Sequence, residues 1–489
     1  MRILLVVPPF YRLFRHSGAY FPLGLGYIAA SLRRETHDVR ILHADYDPTC
    51  YTRSYQELIT DFPLFRQGLQ QEDLPCWSEI ATVVREFKPD IVGSSAMTVY
   101  LESAWKVLKI AKSISPQVIT VLGGPAVTVN PVSAMLEPCV DFAVSGEGEI
   151  ASAQLIEALE RRDASALRRI AGLSWRSEDG GTQNNTRGPW IDVDTIDRPA
   201  RDVLAFKEYP PDLYGTSVTA RGCPYRCAFC NSSAIWGSRM RYRSVANVVE
   251  EIEATKGRFG TTYYHFFDDV FTINKRRTKR LLQLMIERDV RIRYWCNTRL
   301  DVLDEELLDL LAQSGCDNLS VGIESGSDRI LRCINKGISR SMIEDRLAVL
   351  ERSGLGWSAF FMMGFPDEYT EDLELTLSLM EQVRPPKGII FSIFTPYEGT
   401  PLYEECRSLN LIPKHVDDWS MLSHQSPDNY FTPNVPKEVF RAYVERAIGI
   451  ADRSRGHAEE VEDSVASRNG PVQTRPAGQS REECQWTVS

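Results

Sequence analysis

The chain has 489 residues, 43% of them hydrophobic, and a formal net charge of -10. That length exceeds what one core ordinarily supports and calls for two or three domains. The acidic balance excludes nonspecific attraction to nucleic-acid phosphates, which needs a surplus of Lys and Arg.

In chain order the first run is ILLVVPPF, too short and too proline-broken to span a bilayer and without a signal-peptide cleavage pattern. Eleven cysteines without the even spacing of a stapled secreted scaffold suit a reducing compartment, so a soluble, cytoplasmic protein with no membrane partner is expected. Over residues 1–157, β-rich runs (ILLVV, VRILHA, DIVGSSA, VITVLGG, DFAVSG) alternate with helical stretches such as PLGLGYIAASLRR. This rhythm predicts a parallel, doubly wound, Rossmann-like α/β sheet whose ligand crevice lies at the carboxyl ends of its strands. The residues at those ends are small, polar or glycine: Ser94, Ser95 and Thr98, Gly123 and Gly124, Gly146 and Glu147.

Residues 158–205 read as a linker, charged and Gly/Asn-containing, with a GLSW run able to make a hairpin. From 206 to 420 a second series brings six strands, TSVTA, TYYHFF, IRYWC, NLSVGI, WSAFFMM and IIFSIFT, most followed by a turn and a helix. Six β/α units predict a partial barrel, in which Tyr264, Tyr294, Trp295 and Phe391 are candidates for a substrate pocket or for barrel filling. Residues 421–455 read as a helical extension. The polar remainder, 456–489, has too little apolar surface to offset its ordering entropy and is expected to be disordered.

The segment SVTARGCPYRCAFCNSS sets Cys223, Cys227 and Cys230 as CxxxCxxC directly after the first strand of the second series. Three thiolates can ligate three irons of a four-iron cluster and leave the fourth open, whereas clusters that only carry electrons usually have four protein ligands. A structural zinc ion wants four closed ligands, and no partner Cys or His lies close by in sequence. Chance clustering of buried thiols is the other bland alternative.

CPYRCAFC resembles the signature of the radical S-adenosylmethionine (SAM) superfamily. The resemblance implies a partial (β/α)6 TIM barrel, a [4Fe-4S] cluster on the three cysteines, and SAM chelating the open iron and yielding a 5′-deoxyadenosyl radical. It further implies Phe229 shielding the cluster, and Asp268 or Asp269 of FFDDVF at the methionine end of SAM. Glu324 of GIESGS is similar to a carboxylate that approaches SAM, while Gly364 of MMGFPDE and Thr395 of FTPYEGTPLY fall near the adenine. Arg299 of CNTRLD is placed to reach a SAM carboxylate or an anionic substrate. Where the family often has Gly-Glu-Thr after Gly-x-Pro, this chain has Asp367, Glu368 and Tyr369.

The amino-terminal half looks like the cobalamin-binding domain ahead of many such barrels, through PPF, PLGLGYIAASLR, KPDIVGSSAMT, VLGGPAVT and VDFAVSGEGE. Cobalamin would lie over Ser94, Ser95, Thr98, Gly123, Gly124, Gly146 and Glu147. No DxHxxG motif is present, so no histidine of that motif coordinates cobalt, and His16, His37 and His43 are read as solvent or turn residues. A vestigial domain that binds no corrinoid is the competing reading.

The leading function is then cobalamin-dependent methyl transfer to an unactivated carbon of a small metabolite, of the kind made in antibiotic and other specialised biosynthesis. An external flavodoxin, ferredoxin or reductase would supply electrons. The alternative keeps the cluster and SAM but performs dehydration, cyclisation or rearrangement on a sugar or aminocyclitol-like metabolite. A cobalamin or SAM sensor is the non-enzymatic reading.

Overall fold

The computed structural model describes residues 1–53, 55–177, 180–413 and 419–466. Near-continuous apolar runs become the strands β1 (Arg2–Val7), β2 (Asp38–His43), β3 (Ile91–Ser95), β4 (Ile119–Gly123) and β5 (Phe142–Val144). All are parallel in the order β2-β1-β3-β4-β5. Ile3, Leu4 and Val6 have no exposure because helices cover both faces of the sheet. The strand order reverses between β1 and β3, which opens a crevice above their carboxyl ends.

The GLSW run does form a hairpin, β6 (Leu173–Arg176) with β7 (Thr182–Asn184), but β6 also pairs antiparallel with β5. The segment read as a linker therefore adds two strands to the edge of the first sheet.

The second sheet is an open, all-parallel partial barrel. Its first strand, β8 (Thr216–Ser217), is short because the chain leaves the barrel after it. Ala220–Arg221 (β9) swings out to pair antiparallel with Arg241–Tyr242 (β10). The barrel continues through β11 (Tyr263–Phe266), β12 (Arg293–Thr298), β13 (Cys316–Glu324), β14 (Trp357–Met363) and β15 (Ile389–Ile393).

Alternation along these strands decides which side chains see the lumen. Tyr264, Phe266, Tyr294, Cys296, Phe361 and Phe391 belong to the core between the strands and the outer helices and are at most 2% exposed. Their sequence neighbours Tyr263, His265, Trp295, Phe360 and Met362 are only half-buried and face inward. Tyr264, Tyr294 and Phe391 are thus wall packing rather than pocket, and of the four candidates only Trp295 points to the lumen. A one-residue change of parity moves a side chain to the opposite face.

The helix Lys437–Ala466 packs Phe440, Val444, Ala447, Ile448 and Ala451 into the barrel core, and Ser454 accepts from the Ile389 backbone N–H at 2.8 Å. It runs past residue 455, where the helical extension was expected to end, and residues 467–489 of the expected disordered tail lie outside the described residues.

Candidate active site between the two domains

The cysteine loop starts at Gly222, whose φ is +103° and whose absent Cβ would sit 2.6 Å from the Arg239 carbonyl oxygen, so only glycine fits. Three backbone bonds tie the loop down: Cys223 N to Gly237 O (3.3 Å), Cys230 N to Cys227 O (3.1 Å) and Ala228 N to Ile334 O (2.8 Å). Cys223 is buried, Cys227 half-buried and Cys230 exposed. Among the described residues no three His, Cys, Asp or Glu side chains converge on a point that one metal ion could occupy. Three thiols spread along one loop suit the separate corners of a four-iron cluster better than they suit a single zinc ion.

Arg299, 4% exposed, lies beneath this loop. Its guanidinium donates to Cys227 Sγ at 3.7 Å, to Asp301 at 2.9 Å and to the Lys336 carbonyl at 2.5 Å, and it stacks 3.7 Å from the centre of the Tyr225 ring. With its donors so engaged it braces the cysteine loop; it does not extend toward a ligand carboxylate. An N–H donor on a ligating sulfur stabilises the reduced cluster. Arg299→Met is expected to lower the cluster's midpoint potential and to cost about 10–100-fold in iron retention, checked by potentiometric titration and by iron content after desalting.

The two aspartates at the end of β11 separate in role. Asp268 is buried and accepts from the Thr219 backbone N–H (2.9 Å) and hydroxyl (2.7 Å), tying β11 to the break between β8 and β9. Asp269 opens onto a cavity, accepts from Ser232 at 2.6 Å, and is pushed up to about 6 by burial and then by the neighbouring Asp268. Only Asp269 is free to meet a bound molecule.

Glu324 closes β13 with a φ of +72°, a left-handed conformation that costs a non-glycine residue energy, at a register shift against β14. Its carboxylate pairs with the buried Lys336 ammonium at 2.6 Å. Gly364 at the end of β14 has φ +102°, and its backbone N–H and that of Phe365 donate to Glu368 Oε2 at 2.5 and 3.0 Å. Thr395 accepts from Asn429 at 2.9 Å. Phe229 leans on Phe365 (ring centres 5.9 Å apart), which leans on Phe394 (5.1 Å), an apolar floor under the cysteine loop.

A cavity of about 520 Å³ connects the strand ends of the first sheet with the barrel mouth. Ser94, Ser95, Gly123, Gly124, Gly146 and Glu147 line it, together with Val218, Trp236, Phe267 and Asp269 from the barrel side; Thr98 is buried away from it. Among the described residues, and apart from its two chain neighbours, a Gly123 Cβ would meet within 4 Å just the Val144 carbonyl oxygen, at 3.7 Å, so the packing there does not demand glycine. Its bareness keeps the cavity floor flat, which fits a broad planar ligand. Ser94 spends its hydroxyl on the Val6 carbonyl at 3.0 Å. Glu147 is saturated by Arg221 and Arg241, so its carboxylate serves the protein and is not offered to a corrinoid.

His43 is no solvent or turn residue: it is 3% exposed, lines this cavity, bonds the Tyr20 carbonyl at 2.8 Å, and burial lowers it to about 4, so it is neutral. Tyr20 then reaches across to the barrel, 4.4 Å from His265 and 5.7 Å from Phe267 between ring centres. Tyr20, Lys336 and Arg221 carry no local sequence signal for these positions, since each acquires its neighbours only through the fold; Glu368 is visible in the strand-end motif but its burial is not.

Residues 217–380 match the Radical SAM superfamily and residues 17–156 match the B12 binding domain. The chain is 36% identical over 420 residues to an uncharacterized methyltransferase of Pyrococcus horikoshii, covering 84% of each protein. It is 28% identical over 445 residues to the cytidylyl-2-hydroxyethylphosphonate methyltransferase of Streptomyces wedmorensis, covering 82% of this chain and 81% of that one. In fold it is similar to the radical S-adenosylmethionine methyltransferase TsrM of Kitasatospora setae, solved with tryptophan substrate and a SAM analog, with a TM-score of 0.70, 18% identity, and coverage of 96% of this chain and 99% of that one.

Proposed function

The chain belongs to the radical SAM methyltransferases that carry a B12-binding domain, and from that premise we propose that it transfers a methyl group to an unactivated carbon of a small molecule held in its barrel. The observation that carries this reading is the cavity that joins the glycine-floored strand ends of the first sheet to Asp269 and to Arg221, two residues before Cys223, at the barrel mouth.

Cys223, Cys227 and Cys230 would hold the [4Fe-4S] cluster, the strand ends at Asp269, Glu324 and Gly364 would hold SAM, and the crevice at Ser95, Gly123 and Gly146 would hold cobalamin. When bound, these groups supply the electron, the cleavable sulfonium and the methyl carrier. The protein's own part is placement and exclusion of water. Asp269, neutral below its raised value of about 6 and anionic above it, gains affinity for an ammonium as pH rises. Lys336 holds the Glu324 carboxylate in a fixed direction, so its remaining oxygen is preset for a hydroxyl or ammonium donor. Tyr20 and Phe267 pack edge to face on the cavity wall, while Trp295, Ser320 and Ser358 form a hydrogen-bonded line on the inner face of the strands (2.5 and 2.8 Å). Among the described residues no helix is long and apolar enough to cross a membrane.

The test is product stoichiometry after anaerobic reconstitution with iron, sulfide and hydroxocobalamin. Expected are a corrinoid absorption band that survives desalting and formation of both S-adenosylhomocysteine and 5′-deoxyadenosine from SAM. Formation of 5′-deoxyadenosine alone, by protein that retains no corrinoid, would replace this reading with dehydration or rearrangement.

A further inference from the structure

Glu147 and Glu149, which follow β5, pair with Arg221 just before the cysteines and with Arg241 after them, and none of these four charges is used by the chemistry above. Glu147 Oε1 accepts from Arg221 and from Arg241, both at 2.7 Å, and its Oε2 accepts from Arg241 at 2.6 Å and from the Ile191 backbone N–H at 3.0 Å. The second arm of the Arg221 fork reaches Glu149 at 2.7 Å. Arg221 and Arg241 are register partners across β9 and β10, so both guanidiniums present to one carboxylate. Tyr27 and Trp236 cover Arg221, at 5.0 and 5.5 Å, and Trp190 covers Arg241 at 5.1 Å.

Such a network adds little net stability, because the cost of desolvating the charges offsets most of their attraction; fixing register is the better-attested use. Its two ends show what register is fixed here. Glu147 stands between Gly146 and Gly148, both on the cavity wall. Arg221 is separated from Cys223 by Gly222 alone, whose backbone is held at φ +103° against the Arg239 carbonyl. Movement of either loop is therefore passed to the other through one guanidinium. We propose that Arg221, gripped by Glu147 and Glu149, is a positioning residue that sets the cysteine loop at a fixed distance and angle to the floor of the first-domain cavity. This rests on the reading that the loop carries the cluster and the cavity the corrinoid. A planar fork can span two carboxylates at once, and a lysine ammonium cannot hold the same two directions.

The experiment compares wild type, Arg221→Met and Arg221→Lys, reconstituted with iron, sulfide and hydroxocobalamin and reduced with dithionite. The cob(II)alamin electron-spin relaxation is read with the cluster reduced and oxidised, because the enhancement by a neighbouring paramagnet falls steeply with distance. Expected is iron and corrinoid content close to wild type in both variants, a severalfold loss of the enhancement in Arg221→Met and a smaller loss in Arg221→Lys. Misplacement by about 1 Å can cost about 100-fold in rate, so the ratio of S-adenosylhomocysteine to 5′-deoxyadenosine should shift with it. If Arg221→Met does not load, Glu149→Leu removes one arm only and is read the same way. Relaxation identical to wild type in a loaded variant would overturn the proposal. A wild type that retains no corrinoid or cleaves no SAM would instead overturn the functional reading on which it rests.

Discussion

Replacing any one of Cys223, Cys227 or Cys230 by Ala is expected to remove stoichiometric iron and to lower 5′-deoxyadenosine formation by at least ~10³-fold, toward the enzyme-free background. A cluster with one open corner has only three protein anchors, and losing one leaves two thiols to hold four irons, against exposure to solvent at Cys230. The effect is specific, because the other described cysteines have different surroundings. Cys296 and Cys316 are buried in the barrel wall and Cys333 is exposed on the helix Asp328–Cys333, so Cys333→Ala should leave iron content and SAM cleavage as they are. Iron and sulfide assays with a SAM-cleavage time course check both arms, and equal loss in Cys333→Ala would show that the loop is not the cluster's anchor.

Glu368 should make the protein lose stability as pH rises from about 5 to about 9, by several kcal/mol relative to Glu368→Gln. The side chain has no exposure, accepts two backbone N–H bonds on Oε2, and leaves Oε1 without a partner among the described residues. Burial pushes its carboxyl up to about 8 from an ordinary value of 4.5, so the folded protein keeps a proton there that the unfolded chain releases. The sign follows: below about 4.5 both states are protonated and nothing is lost, and between about 4.5 and 8 each step in pH favours unfolding until the folded carboxyl also ionises. At ~1.4 kcal/mol per pH unit, the full loss is on the order of 3–5 kcal/mol. Glutamine keeps the acceptor for Gly364 and Phe365 and cannot ionise. Chemical denaturation of the two proteins at pH 5, 7 and 9 is the measurement, and parallel stability curves would show that Glu368 is ionised in the fold.

Glu368 also shows where a motif stops being informative. In the sequence the run Asp367, Glu368, Tyr369 was a departure from a family pattern, and nothing local says that the middle residue turns inward to clasp the start of its own loop. Glu147 is the converse case. Its place at a strand end marks it as a ligand-facing acid, yet across the domain boundary two arginines have already claimed it. Arg299 likewise looks like an anion receptor until Asp301, Lys336 and Cys227 are found around it.

Read alone, the amino-acid order determined what local rules govern: two β/α series from alternating apolar runs and turns, three thiols in one loop, and the glycine-rich strand ends of a crevice. Covalent spacing sets those, since period, reach and ligand count need no partner from elsewhere in the chain. Only the tertiary structure decided strand parity, which turned Tyr264, Tyr294 and Phe391 into the wall and Trp295 into the lumen, and only it joined the edge hairpin to the first sheet and the Glu147 loop to Arg221. Those depend on pairings between residues tens of positions apart, where a side chain's meaning is set by the groups that desolvate it and not by the neighbours it was synthesised beside.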